Sequence, residues 1–156
     1  MSLIREYHTG DYEACLAVFD SNVPLFFAAP ERTSFANFLA RLTCSFFVAE
    51  HEGRVVGCGG FYLVPADCLA GLVWGMIARD RQRCGLGSAL LRERLRRLAS
   101  EPVIRTVRVN TSQHTTAFFQ RFGFETVLTV ENHFADGLHQ HQMLLRLPSL
   151  CEASVA

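Results

Sequence analysis

The sequence predicts an α/β domain in which helices are interleaved around a mixed sheet, in the order β-α-α-β-β-β-α-β-α-β-β. Three observations predict it. Short apolar and β-branched runs alternate with segments whose apolar residues recur three and four apart. The strand-like runs gather in the middle of the chain, around a glycine-bearing turn. A stretch reading "RCGLG" then separates an apolar run from a leucine-striped helix. With 156 residues, a chain buries roughly 68–70% of its unfolded surface and needs no staples. Residues 1–148 are expected to form the domain and 149–156 a tail.

The elements follow in order. Residues 3–7 read as a first strand. Tyr12, Leu16 and Phe19 lie at helical spacing behind Thr9 or Asp11 as caps. Phe35, Phe38, Leu39 and Leu42 repeat that spacing after Pro30, with Ser34 or Thr33 near the start. Between the two helices, "SNVPLFFAAPE" carries two prolines and reads as a loop, whose Phe26 and Phe27 either line an acceptor pocket or anchor the segment. Residues 44–49 and 54–64 are strands around "EHEG", whose glycine suits a hairpin turn. Residues 69–77 complete a meander. Gly75 interrupts that strand, which marks a bulge or the close approach of another group.

In residues 86–98, leucines 86, 90, 91, 95 and 98 form one stripe, with Arg92, Glu93, Arg96 and Arg97 opposite. The arginines of "RERLRRL" therefore read as a solvated helix face rather than a nucleic-acid surface. Residues 103–110 are a strand and 115–122 a short helix stopped by Gly123. Phe118, Phe119 and Phe122 sit there at core spacing. Residues 124–130 and 141–147 are the last strands.

Composition excludes several classes. Fifteen basic residues balance fifteen acidic ones, which leaves no overall field for nucleic acid. All the basic residues are arginine, so lysine Schiff bases, pyridoxal phosphate enzymes and the lysine-bearing P-loop are excluded. No apolar run approaches the ~20 residues of a membrane span. The first residues carry Arg5, Glu6 and Asp11 and no apolar stretch of signal-peptide length, so the expected location is cytoplasmic, with no membrane partner. Cys15, Cys44, Cys58, Cys68, Cys84 and Cys151 lie far apart, which suits reduced thiols. His139 and His141 share a strand face, but solvent-facing polar residues explain that spacing and no metal is expected.

The stretch "ARDRQRCGLGSALL" reads as an anion site. A helix N-terminus presents unpaired amides and a partial positive charge. Glycines before it let successive amides face one concavity. Arg79, Arg81 and Arg83 add positive charge that Asp80 offsets only in part. A dinucleotide site fits poorly, because Gly85 and Gly87 lead to Leu90 rather than a third glycine or alanine, and no acid stands near Arg105 to hold a ribose.

Here the chain resembles the GNAT superfamily of N-acetyltransferases. "GMIARDRQRCGLGSALL" is similar to its motif A, with Gln82, Gly85 and Gly87 in the signature positions. "HTTAFFQRFGFE" is similar to its motif B, where a small helix ending in Gly-Phe precedes the sixth strand. The resemblance spans residues 3–147. It implies a mixed, mostly antiparallel sheet flanked by helices, and acetyl-CoA as acyl-donor cosubstrate. It implies that the pyrophosphate rests on amides of Arg83, Cys84, Gly85, Leu86, Gly87 and Ser88, and that pantetheine lies along Met76, Ile77 and Ala78. Gly75 would then stand near the splay of the fourth and fifth strands. Asn110, His114 and Phe119 complete the implied cofactor contacts, His114 standing where relatives often carry an asparagine.

Acetyl transfer needs a neutral amine, a donor for the carbonyl oxygen and departure of a thiolate. The oxygen can be held by a backbone amide of the fourth strand, that of Ile77 or a neighbour. Many relatives protonate the sulfur with a tyrosine, and Phe119 occupies that position here. Either a thiol of pKa near 8.5 leaves unaided, or Ser112, His114 or water supplies the proton. His133, Asp136, Glu31, Tyr62 and relayed water all remain open as the general base. Cys84 reads as a small filler whose amide matters. The expected function is acetyl transfer to a primary amine of a small molecule or a protein terminus, with homodimerisation open. The alternatives are a non-catalytic CoA or acyl-CoA sensor of the same fold, and a dimer-forming interaction protein without a cofactor.

Overall fold

The computed structural model describes residues 2–148; the predicted tail and Cys151 lie outside the described residues. The elements run β1 (Ser2–Glu6), α1 (Tyr12–Ser21), α2 (Glu31–Ala40), β2 (Ser45–His51), β3 (Arg54–Val64), β4 (Leu69–Ile77), α3 (Leu86–Ala99), β5 (Thr106–Ser112), α4 (Thr116–Gln120), β6 (Glu125–Ala135) and β7 (Leu138–Arg146). They form a seven-stranded sheet of order β1-β2-β3-β4-β5-β7-β6. β4 and β5 pair in parallel, Leu69 opposite Thr106 through Leu72 opposite Val109. Antiparallel pairing joins β1 to β2, β2 to β3, β5 to β7 and β6 to β7. The predicted order of element types and the mostly antiparallel sheet are both present.

The chain divides into two compact units: residues up to Phe61 with Val73–Arg94, and Tyr62–Leu72 with residues from Leu95 onward. In the first unit β2 and β3 meet through Glu52 and Gly53, both at positive φ (52° and 78°), the turn that matches strand twist. Its core is aromatic. Phe19 and Phe35 are fully buried and both pack on Trp74, at ring-centroid distances of 6.4 and 5.0 Å. Phe27 joins them, 5.1 Å from Phe19, and so anchors the loop on the core, while Phe26 lies under the Arg79 guanidinium at 5.4 Å; these contacts leave a pocket-lining role open. Pairs of this kind add about 0.5–1.5 kcal/mol beyond their buried area.

The caps differ from expectation. Asp11 places no side-chain hydrogen bond on α1. Instead its carboxylate accepts from the His8 amide and from two nitrogens of Arg5, at 2.8 and 2.9 Å, beneath a 3₁₀ turn at Thr9–Asp11. An ion pair formed by a side chain 5% exposed outweighs a helix cap. α2 begins at Glu31 rather than near Thr33 or Ser34, because Pro30 has helical backbone angles and the Glu31 carboxylate accepts the Ala28 amide at 2.8 Å. On α3, Leu86, Leu90, Leu91 and Leu98 are buried as predicted. Arg94 is the exception to the solvated face, because it lies four residues from both Leu90 and Leu98, on the buried stripe, and is only 3% exposed. The irregularity expected at Gly75 falls one residue earlier, at Trp74 with φ 49°. Gly75 itself meets the predicted close approach, since a Cβ there would stand 3.0 Å from Arg94 Nη2.

In the second unit β7 lies between β5 and β6, and Met143, Val107 and Phe124 are buried. β5 starts at Thr106, later than predicted, because the chain turns after Pro102 and the Arg105 amide bonds Cys68 O at 2.8 Å. β6 runs five residues beyond the predicted 130, to Ala135, and β7 starts at Leu138. The hairpin between them closes at Gly137, φ 76°, whose amide donates to Asn132 Oδ1 at 2.7 Å. Polar residues 131–133 concealed that extension, since alternation marks a strand only where one face is buried. Among the described residues no helix is long and apolar enough to cross a membrane.

Candidate functional site

The first unit holds the predicted anion loop. β4 ends at Ile77, a 3₁₀ turn spans Arg79–Arg81, and α3 begins at Leu86. Arg83 and Gly85 are both left-handed, at φ 63° and 83°. That alternation turns neighbouring amides toward one side, the concavity that binds anions. Among the described residues, no backbone hydrogen bond is donated by the amides of residues 82 to 88; the first amide to find an acceptor is that of Ala89, on Gly85 O at 3.0 Å. A Cβ on Gly85 would meet nothing within 4 Å. Arg83, Cys84 and Gly85 are exposed, Gly87 and Ser88 half-buried and Leu86 buried. The Cys84 thiol turns back to Gln82 O at 3.5 Å.

Gln82 is tied inward. Its Nε2 donates to Asn22 Oδ1 at 2.7 Å and to Ile77 O at 3.1 Å, while Asn22 Nδ2 donates to Val18 O and to the same Ile77 O, at 2.9 and 3.0 Å. Asn22 is 1% exposed. The signature glutamine thus pins the loop to the end of α1 and to β4. The Arg79 amide adds a bond to Ser21 Oγ at 3.1 Å. Sequence reasoning left Asn22 in a loop; the signal was an asparagine directly behind a helix, where its side chain can reach carbonyls that the helix leaves open.

The strand residues are placed as follows. Met76 and Ile77 are buried and Ala78 half-buried. The Ala78 amide donates to Val56 O at 2.7 Å and its carbonyl accepts from Arg81. Ala78 is therefore spent, and strand alternation turns the Ile77 amide to the opposite edge of β4 from β3. A cavity of about 460 Å³ borders the turn, with Ala14, Ala17, Val55 and Ala78 among its apolar lining and Arg54 and Arg81 among its polar lining.

The second unit gathers Asn110, Ser112, His114 and Phe119. Asn110 is exposed on β5, opposite Gln142. Ser112 is 5% exposed; its Oγ accepts the His114 amide at 3.4 Å and its carbonyl the Thr115 amide at 3.1 Å, so it caps the turn into α4. His114 is exposed. Phe119 is 8% exposed, edge-on to Phe124 at 5.4 Å. Gln113 fastens this corner to the β6–β7 hairpin, Nε2 donating to Gly137 O at 2.6 Å and Oε1 accepting the His139 amide at 2.9 Å.

Of the groups considered as bases, Glu31 is engaged with Ala28, and the Tyr62 hydroxyl accepts from Arg108 Nη2 at 2.6 Å. His133 and Asp136 are exposed. His139 Nδ1 accepts the Asn132 amide at 2.9 Å, which leaves that nitrogen without a proton or a lone pair for a metal. Among the described residues no cluster of His, Cys, Asp or Glu is arranged to hold a metal ion.

A glycine-bearing loop leading into a helix N-terminus, on the β-α-α-β-β-β-α-β-α-β-β frame, is an α/β arrangement able to hold an anion. The model of the acetyltransferase (GNAT) domain matches residues 43–126, so the chain belongs to the GNAT acetyltransferase family. It is similar to the ribosomal-protein-S18-alanine N-acetyltransferase of Escherichia coli, with 20% identity, 96% of each chain covered and a TM-score of 0.78. An N-acetyltransferase from Staphylococcus aureus Mu50 gives 20% identity over 94% of this chain and 98% of the other, TM-score 0.72. Ard1 from Thermoplasma volcanium gives 19% identity over 94% and 97%, TM-score 0.77. At these identities the structures speak to the fold alone. Comparison with curated protein sequences returned no match.

Proposed function

We propose that the chain transfers an acetyl group from acetyl-CoA to a primary amine of a small molecule or a protein terminus, by direct attack in a ternary complex. The observation that carries this reading is the loop of residues 82 to 88, with amides that have no backbone acceptor and left-handed turns at Arg83 and Gly85. A diphosphate seated there satisfies successive N–H groups and meets the positive end of α3. Arg79, Arg81 and Arg83 supply countercharge.

Acetyl-CoA brings an acyl group already activated as a thioester. The rest falls to the chain. The outward amide of Ile77 holds the carbonyl oxygen, a task that needs a fixed dipole and no side chain. Met76 and Ala78 line the same strand, and Asn110, His114 and Phe119 are assigned contacts with the cofactor. The amine must arrive neutral; with Glu31 and Tyr62 already engaged, its proton is assigned to water, while Ser112 and His114 stay as proton donors to be tested. The cytoplasm is the proposed location.

One observation favours the second reading, a CoA sensor without turnover: Phe119 puts a buried ring where many relatives have a hydroxyl. Incubation with acetyl-CoA and a panel of amines, followed by mass spectrometry of CoA and acetylated amine, separates the two. Acetyl-CoA at millimolar concentration that produces no thermal shift overturns both readings. Binding without CoA release across the panel favours the sensor.

A further inference from the structure

Arg94 is a buried cation with no ion-pair partner among the described residues. It is 3% exposed, and its Nε finds no acceptor. Among the described residues its hydrogen bond is from Nη1 to Gly60 O, at a long 3.4 Å. Among the described residues no carboxylate pairs with it. Burial pulls its pKa down to about 10, so it still carries its charge at neutral pH. A guanidinium in this setting is a poor way to hold a fold, since an apolar side chain of similar volume is often neutral or stabilising in its place.

The sheet has been cleared to admit it. A Cβ on Gly59 would stand 3.1 Å from the Arg94 Cζ and Nη1, and one on Gly75 would stand 3.0 Å from Nη2. Two facing strands thus give up side chains at the same spot, and the guanidinium lies against bare backbone. Gly75 is two residues before Ile77 on the strand that runs into the anion loop. At 3% exposure Arg94 offers no face on which a solute can pair with it, so its charge acts through the backbone above it.

We propose that Arg94 is a fixed positive charge beneath the glycine floor of β3 and β4, retained to stabilise the negative charge that acyl transfer leaves on sulfur. This rests on the reading of β4 as the strand along which the acyl arm lies. In that reaction the amine nitrogen forms the new C–N bond and its proton passes to water. The C–S bond breaks, and its electron pair leaves on sulfur as the CoA thiolate. A cation that is already desolvated and fixed favours that product without giving up a proton. Phe119 provides no proton donor, which is consistent with a leaving group stabilised by charge. Arg94 is a positioning residue in this account, since it touches neither acyl group nor amine.

The test is the acidity of the bound thiol. CoA labelled with ¹³C at the carbon next to sulfur is bound to the wild type, Arg94→Met and Arg94→Lys, and the thiol is titrated by NMR. The wild-type complex is expected to lower the thiol pKa below that of free CoA. Arg94→Met is expected to raise it by about one unit, and Arg94→Lys to keep it near the wild type. In urea, Arg94→Met should be at least as stable as the wild type. A bound thiol equally acidic in Arg94→Met and the wild type overturns the inference and leaves the acetyltransferase reading standing. If Arg94→Met does not fold, the wild-type titration decides: a thiol no more acidic on the protein than in water overturns it. A wild type that does not bind CoA overturns the reading and this inference with it.

Discussion

The role of Gln82 can be decided by removing its side chain. Gln82→Leu deletes two donated hydrogen bonds, to Asn22 Oδ1 and Ile77 O. Ile77 O keeps Asn22 as a donor, whereas Asn22 Oδ1 loses the partner shown for it in a residue 1% exposed. A typical hydrogen bond contributes about 1 kcal/mol net, and an orphaned buried acceptor costs about 1–3 kcal/mol. The expected loss is about 2–3 kcal/mol in urea denaturation. Asn22→Leu should lose about 3 kcal/mol, because it deletes the bonds to Val18 O and Ile77 O and the one accepted from Gln82, while Val18 O keeps Ser21 Oγ and Ile77 O keeps Gln82 as donors. The double variant should fall short of the sum by about 1–2 kcal/mol, the mark of residues in one network. CoA affinity should weaken alongside stability, since the unpinned loop must be ordered on binding. A Gln82→Leu protein that loses affinity but less than about 0.5 kcal/mol of stability refutes the pin and makes Gln82 a direct ligand contact.

Three further outcomes are expected. Gly85→Glu abolishes CoA binding in calorimetry while Gly85→Ala only weakens it, because both must adopt φ 83° at a cost of roughly 1–2 kcal/mol but only the glutamate brings a like charge to the phosphates; equal affinities move the diphosphate elsewhere. Phe119→Tyr leaves kcat within about twofold, as a thiolate leaving group needs little general acid help; a tenfold rise shows that a missing proton donor limits turnover. The Asp11 carboxylate is held below its usual range, first by hydrogen bonds from Arg5 and also by the His8 amide. A depressed folded-state pKa gives stability that is present above the unfolded value of ~3.9 and lost as pH falls through the folded one. The wild-type urea midpoint should therefore fall more steeply below pH 4 than that of Asp11→Asn; parallel curves would show that the ion pair adds nothing.

Much of the fold was legible because periodicity reports burial. β3 and β4 have the predicted ends, and the leucines of α3 fall on the buried side. The failures share a cause: side chains that spend their polar groups inside the protein. Asp11 was expected to cap α1 and instead pairs with Arg5, six residues earlier in sequence but on another element. Gln82 was read as part of a phosphate motif, and its partner Asn22 is sixty residues away, invisible to any local pattern. The β6–β7 hairpin extends through polar residues 131–133, which fall where the register breaks between Val130 and Ala135, so no strand alternation marks them. The turn ahead of α3 was legible because its glycines report backbone shape directly, and Gly85 is left-handed as such a turn requires; no spacing rule marks a proton donor.

Arg94 shows where pattern and chemistry part. Its spacing from Leu90 and Leu98 placed it on the apolar stripe, while its charge argued for the surface, and charge is the stronger prior for any helix in isolation. The glycines tip the balance. Gly59 and Gly75 each weaken a strand interior by omitting a side chain, and the space so made is filled by the one group that gains least from burial. Two strand interiors weakened to admit an unpaired cation are a local inconsistency of the kind that marks functional positions. If that space served packing alone, Arg94→Met would give a protein at least as stable as the wild type with an unchanged bound thiol. An equally stable protein whose bound thiol is less acidic would show that the cation is kept for the reaction.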